Sequence, residues 1–153
     1  MSVFYDHNLI ARILLTLVTL GYGAGTVIAD FNATHASNPK WTPHARFHVV
    51  WQISSYVGFG ILSLALIWIP GPLAVERLYI AGAIATIVYV AFFAALIAMP
   101  LYGGRTYDDN GYLPFNAPIP AIAPKWDANI TVFCIQAVLL IAAVLSISAA
   151  SAG

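Results

Sequence analysis

In a chain of 153 residues, 61% are hydrophobic and 8% are charged, where a soluble domain carries roughly 25% charged residues. That composition excludes an ordinary water-soluble fold. Six Lys and Arg balance six Asp and Glu, so there is no basic surplus to neutralise phosphates, which argues against nucleic acid as a partner. A single cysteine, Cys134, leaves no internal disulfide or thiol-based zinc site to build.

A membrane-spanning helix needs about 20 mostly apolar residues, because each rises about 1.5 Å through a hydrocarbon core of about 30 Å. Four stretches meet that length: Leu9 to Ala29, Ala45 to Ile69, Arg77 to Leu101 and Ala128 to Ala150. They predict an all-α membrane protein, a four-transmembrane-helix bundle forming one domain over residues 1–153. The first stretch reads as a permanent helix rather than a cleaved secretory signal, since no small-residue cleavage site follows it.

Between the spans lie a polar loop from Asp30 to Pro43, a tight turn at Pro70-Gly71-Pro72, and a long loop from Tyr102 to Asp127. Alternate loops of an up-and-down bundle share a face, so the first and third put nearly all the polar chemistry at one end. That end carries Lys40, Arg46, Arg105 and Lys125 against Arg12 and Arg77 at the other, which by the positive-inside rule places it in the cytoplasm of a bacterial inner membrane. Gly21, Gly23 and Gly25 of the first helix, with Gly58 and Gly60 of the second, predict close helix packing.

Three of the four histidines, His35, His44 and His48, fall in the first loop and the start of the second helix. Thr42 followed by Pro43 is a helix start, with Thr as N-cap and Pro at the first helical position. His44 and His48 then share a helix face, continued into the membrane by Gln52 and Ser55. Such a polar seam must face protein or a cavity, and ionisable groups in or near a span are usually functional.

Three readings of the histidines stay open. An interfacial pair satisfies backbone groups and lipid headgroups. A pair spaced by four residues binds a single transition-metal ion, with His35 or Asp30 folding back as third ligand. Alternatively, His48 is the axial ligand of a haem. Trp41, Phe47 and Trp51 would then wall the macrocycle, with Lys40, Arg46 and Arg105 pairing its propionates. A di-iron site is excluded, because the chain's one glutamate, Glu76, lies in the far turn.

In the long loop, Asp108-Asp109-Asn110-Gly111 reads as a solvated turn. Tyr102 and Tyr107 are the candidate hydrogen-bond donors to a substrate oxygen, since a phenol brings no charge into lipid. The Pro-rich piece Pro114 to Pro124 predicts a structured or semi-rigid loop.

Residues His35 to His48 spell His-xx-Asn-Pro-x-Trp-xx-His-Ala-Arg-Phe-His. On that signature the chain resembles an uncharacterised family of small four-span bacterial and fungal proteins. The helix plan and Ala45-Arg46-Phe47-His48 are also similar to styrene oxide isomerase. The second resemblance implies a trimer holding haem b between protomers, with His48 as axial ligand and His44 beside it. Ferric iron would act as a Lewis acid on a small apolar epoxide and yield an aldehyde. Ser54 stands six residues after His48, where that family has an asparagine that helps position the epoxide. Tyr89 and Tyr102 lie nearest to its substrate-contacting tyrosine. The rival from another class is a non-catalytic membrane subunit that docks a partner, lipid or pigment.

Overall fold

The computed structural model describes residues 8–119 and 122–152. Four long helices make up the fold: α1 (Leu9–Asp30), α2 (Pro43–Trp68), α3 (Ala74–Tyr102) and α4 (Ala128–Ala152). All four are long and apolar enough to cross a membrane. In lipid a helix satisfies every backbone polar group internally, which is why this composition folds as a helical bundle. The expected spans hold. The largest boundary difference is α3, which begins at Ala74, so the far turn is tighter than the hydropathy indicated.

The helices run up and down. Arg12, at the start of α1, donates to the carbonyl of Ile67 at the end of α2, and Arg77 donates to Ala65 O at 2.8 Å. Arg12 thereby meets a carbonyl of the last turn of α2, where helical partners run out, and Arg77 adds a second donor to Ala65 O, which also accepts the Ile69 N–H at 3.0 Å. Trp68 Nε1 donates to Thr16 Oγ1 at 2.9 Å across the same end. α1 packs on α2, α3 and α4, and α3 packs on α2 and α4, so α1 and α3 form the close diagonal.

Small residues set the α1–α2 approach. A Cβ built on Gly60 would sit 3.6 Å from the Cα of Gly23, and one on Gly23 would sit 3.7 Å from the Cα of Gly60. The expected close packing therefore falls on this pair. Gly21 serves another purpose, because the carboxamide of Gln136 from α4 lies where its Cβ would be, 2.6 Å away. A Cβ built on Gly58 would meet nothing within 4 Å, so close packing does not require this glycine.

The core joins Leu15, Val18, Leu78, Ala85, Leu140 and Ile147 around three tyrosines at mid-bundle. Tyr22 stands edge-on to Tyr56 and Tyr89 at 6.3 and 6.2 Å, the arrangement that aromatic quadrupoles favour. Its hydroxyl donates to Ser63 Oγ at 2.8 Å, and that of Tyr89 to Val18 O at 2.8 Å. Phe92 stacks on Phe133 at 3.7 Å and joins α3 to α4.

Both long connections lie at the same end, as expected. The α1–α2 loop is stitched to the α3–α4 loop by Lys40 Nζ donating to Asn110 Oδ1 at 2.9 Å and Trp41 Nε1 reaching Asp108 Oδ2 at 3.4 Å. The Pro-rich segment carries a short antiparallel ladder, β1 (Phe115–Asn116) with β2 (Lys125–Trp126). Pro120 and Ala121 lie outside the described residues.

Candidate functional site

The polar end is built from two separate clusters rather than one. The first lies on α2. Thr42 caps the helix by accepting the Ala45 N–H at 3.2 Å, and Pro43 fills the first helical position, as the sequence required. One turn further, His44 and His48 meet with Nε2 atoms 3.0 Å apart and rings nearly perpendicular at 87°. A hydrogen bond between two imidazoles needs one protonated and one bare Nε2, so one ring donates its proton to the lone pair of the other.

This pair faces outward. His44, His48 and Gln52 are exposed, and Phe47 and Trp51 beside them are 61% and 60% exposed. The Trp51 ring lies 5.9 Å from His48 and that of Phe47 5.8 Å. The expected seam is real, but none of the described residues covers it. Ser55 is half-buried and donates to Trp51 O of its own helix at 2.9 Å.

Several residues expected here are elsewhere. Arg46 is two positions from each histidine, about 200° around the helix at about 100° per residue, and so points away from the pair. Ser54, six positions from His48, lies about 120° around and donates to Val50 O of its own helix at 2.8 Å. Tyr102 folds back along α3 to donate to Ala95 O at 2.9 Å. Tyr89 is spent in the core on Val18 O. His35 and Asp30 do not fold back as ligands, and among the described residues no group of three His, Cys, Asp or Glu is placed to hold a metal ion.

His35 anchors the second cluster. Its Nδ1 lies 2.7 Å from Thr34 Oγ1 and 3.7 Å from Asp30 Oδ1. Thr34 Oγ1 is itself 2.6 Å from Asn32 Oδ1, which accepts its hydroxyl hydrogen and leaves the oxygen to accept from His35. The Nδ1 side of the ring is thereby occupied. Trp41 stands edge-on to His35 at 5.0 Å.

Together with Gly103, Arg105, Thr106, Tyr107, Asp108 and Asp109, these two side chains line a polar cavity of about 390 Å³. α3 delivers that lining by ending on Gly103, whose φ of +66 turns the chain back over the bundle. Asp108 is held below the usual carboxylate range by the Asn110 backbone N–H, then by the Asn110 side chain and the Trp41 indole. Thr106 donates to Asp127 Oδ2 at 2.5 Å, while Asp127 Oδ1 accepts the Ile130 N–H at 2.9 Å and so caps the start of α4. Arg105, Tyr107 and Trp41 thus belong with His35, not with His48.

Sequence reasoning missed His35 as the centre of a cavity, and it missed the Tyr22, Ser63 and Gln136 contacts inside the bundle. The polar residues within otherwise apolar spans were a readable signal for the latter.

Four spanning helices with their polar chemistry gathered at one end define an integral-membrane four-helix bundle. The chain belongs to a family of unknown function, DUF6640, which matches residues 13–126 and so takes in both clusters. No curated protein and no solved structure matches it.

Proposed function

We propose that this is an integral-membrane, isomerase-like enzyme in which His48 holds haem b on the outer face of α2 between copies of the chain. The reading is carried by one observation: an imidazole pair flanked by exposed Phe47 and Trp51 at the membrane end of a spanning helix. Burying polar groups in lipid without partners is costly, so this face favours a cover that is neither lipid nor water. A second copy of the chain with a flat cofactor between the two meets both needs, and a trimer follows the resemblance.

The donor chemistry fits haem better than a single ion. Haem requires one imidazole lone pair; the accepting Nε2 of the His44–His48 bond is engaged, so His48 would offer its Nδ1 when it is the donating ring, or its Nε2 once His44 releases it. A protein-bound catalytic ion takes about three protein ligands, and one protomer brings two. When bound, ferric haem would supply a Lewis acid for the oxygen of a small apolar epoxide, giving a carbonyl product. The chain contributes orientation. His44 holds the ring of His48 in place, Trp51 and Phe47 shape an apolar wall, and Gln52 lies one turn deeper on the same face. Its carboxamide suits hydrogen bonding to an oxygen-bearing substrate, the role that Ser54 and Tyr102 do not reach. The protein then sits in a bacterial inner membrane, and the excess of basic residues at the polar end supports the cytoplasm for that end.

The test is the visible spectrum and metal content of the protein purified in mild detergent, followed by turnover of an aryl epoxide. Haem absorption with aldehyde formation supports the proposal. A transition metal without haem moves the site to a single-ion enzyme completed by a second copy. Neither haem nor metal moves it to a non-catalytic subunit whose aromatic face docks a partner, lipid or pigment.

A further inference from the structure

The loop cavity stands apart from the histidine pair, and its lining has an unusual charge balance. Arg105 and Asp109 both line it, yet they do not pair with each other, and among the described residues neither side chain has a hydrogen-bond or ion-pair partner. Asp108 in the same wall is ionised and already satisfied by Asn110. Trp41 and Tyr107 add two aromatic rings, and His35 adds a ring whose Nδ1 side is tied back to Thr34. Only a few residues separate these groups from the ends of α1 and α3 and the start of α2, which places the cavity at the boundary between membrane and water.

An acid and a base that share a cavity without touching are both satisfied by a ligand that carries both charges. A simple anion would meet Asp108 and Asp109, and a simple cation would meet Arg105. We infer that the cavity binds a zwitterion of the phosphoethanolamine type, with its anionic group on Arg105 and its ammonium between Asp109 and the Trp41 and Tyr107 rings. Guanidinium offers paired donors to phosphate oxygens, and an ammonium gains from an aromatic face when partly desolvated. The cavity of about 390 Å³ is larger than such a group and leaves room for water or for the start of a glycerol backbone. Two sources share this chemistry, the headgroup of a membrane phospholipid and a free phosphoethanolamine-like solute.

Calorimetric titration of the detergent-purified full chain with O-phosphoethanolamine, inorganic phosphate and ethanolamine forms the first arm. The second arm measures by native mass spectrometry the phospholipid retained from vesicles of equal phosphatidylethanolamine and phosphatidylglycerol. Both arms are run on the wild type and on Arg105→Gln, Asp109→Asn and His48→Ala. Saturable zwitterion binding that exceeds either half-ligand, weakened about tenfold or more in both loop variants, supports a free solute. Selective retention of phosphatidylethanolamine alone, lost in both loop variants, supports the lipid. In either case His48→Ala leaves binding unchanged, which separates this site from the haem proposal. Inorganic phosphate bound as tightly as the zwitterion, a loop variant that binds normally, or no binding in either arm overturns it. Arg105 and Asp109 are exposed and without partners, so their replacement leaves the fold intact, which circular dichroism verifies.

Discussion

The Nε2 atoms of His44 and His48 lie 3.0 Å apart on the open face of α2, so each ring holds the orientation of the other. His44→Phe keeps a ring in the same place and removes the hydrogen bond. Partners that orient a ligating imidazole typically contribute tenfold to a hundredfold in affinity. Titration of haem into the apo-protein is therefore expected to show affinity about tenfold lower in the variant with unchanged stoichiometry. Unaltered affinity would leave His44 with a packing role alone.

Gln52 continues the same face one turn deeper and is exposed. Gln52→Leu keeps the volume and removes the hydrogen-bonding group. The expected outcome is a fall of about tenfold or more in kcat/KM for an epoxide, with haem content unchanged. Full activity would place substrate recognition elsewhere.

Inside the bundle, the hydroxyl of Tyr22 donates to the buried Ser63 Oγ at 2.8 Å and ties α1 to α2. Interhelical hydrogen bonds in membrane proteins contribute about 0.6 kcal/mol on average and about 1.7 at most. Tyr22→Phe keeps the ring contacts with Tyr56 and Tyr89. A destabilisation of about 0.5–1.5 kcal/mol is expected, measured by reversible unfolding in mixed micelles. No measurable change would mean that Ser63 finds an equal partner in its own helix.

The spans were legible because burial in lipid demands long apolar runs, and the start of α2 because Thr42-Pro43 is a local capping signal. The direction in which the seam faces was not legible. α2 is apolar nearly all round its lower turns, so its periodicity does not say which side meets α1 and which side stays open. The displacement of Arg46 from the histidine pair follows from helix geometry alone, whereas grouping residues by their nearness in sequence hides it. The loop cavity depends on contacts such as Lys40 with Asn110 and Trp41 with Asp108, 70 and 67 residues apart, and no local pattern encodes them. The ladder at Phe115–Asn116 is two residues long, too short for strand alternation to show.

Asp108 links the two loops and gives them a pH dependence of definite sign. Its carboxyl is held below the usual range by the Asn110 backbone N–H, the Asn110 side chain and the Trp41 indole. A carboxyl lowered in the folded state stabilises that state above its unfolded value of about 3.9 and ceases to do so as pH falls through the lower folded value. Hydrogen-exchange protection of the Asn110 amide, corrected for the intrinsic rate, is expected to hold from neutral pH to about 5 and to fall only in stronger acid. Asp108→Ala should lack that protection at neutral pH. Protection that increases on acidification would contradict the assignment.

His48 lies one turn deeper than His44, where water is scarcer and an imidazole without a strong partner costs more. The most direct measurement is haem per protomer in the wild type, His48→Ala and His44→Ala, each purified from the membrane in mild detergent and compared by visible absorption. The expected result is haem retained by the wild type, lost from His48→Ala and largely kept by His44→Ala. A wild type with no haem, or a His44→Ala protein that is empty beside a full His48→Ala protein, would contradict the assignment of His48 as the ligand.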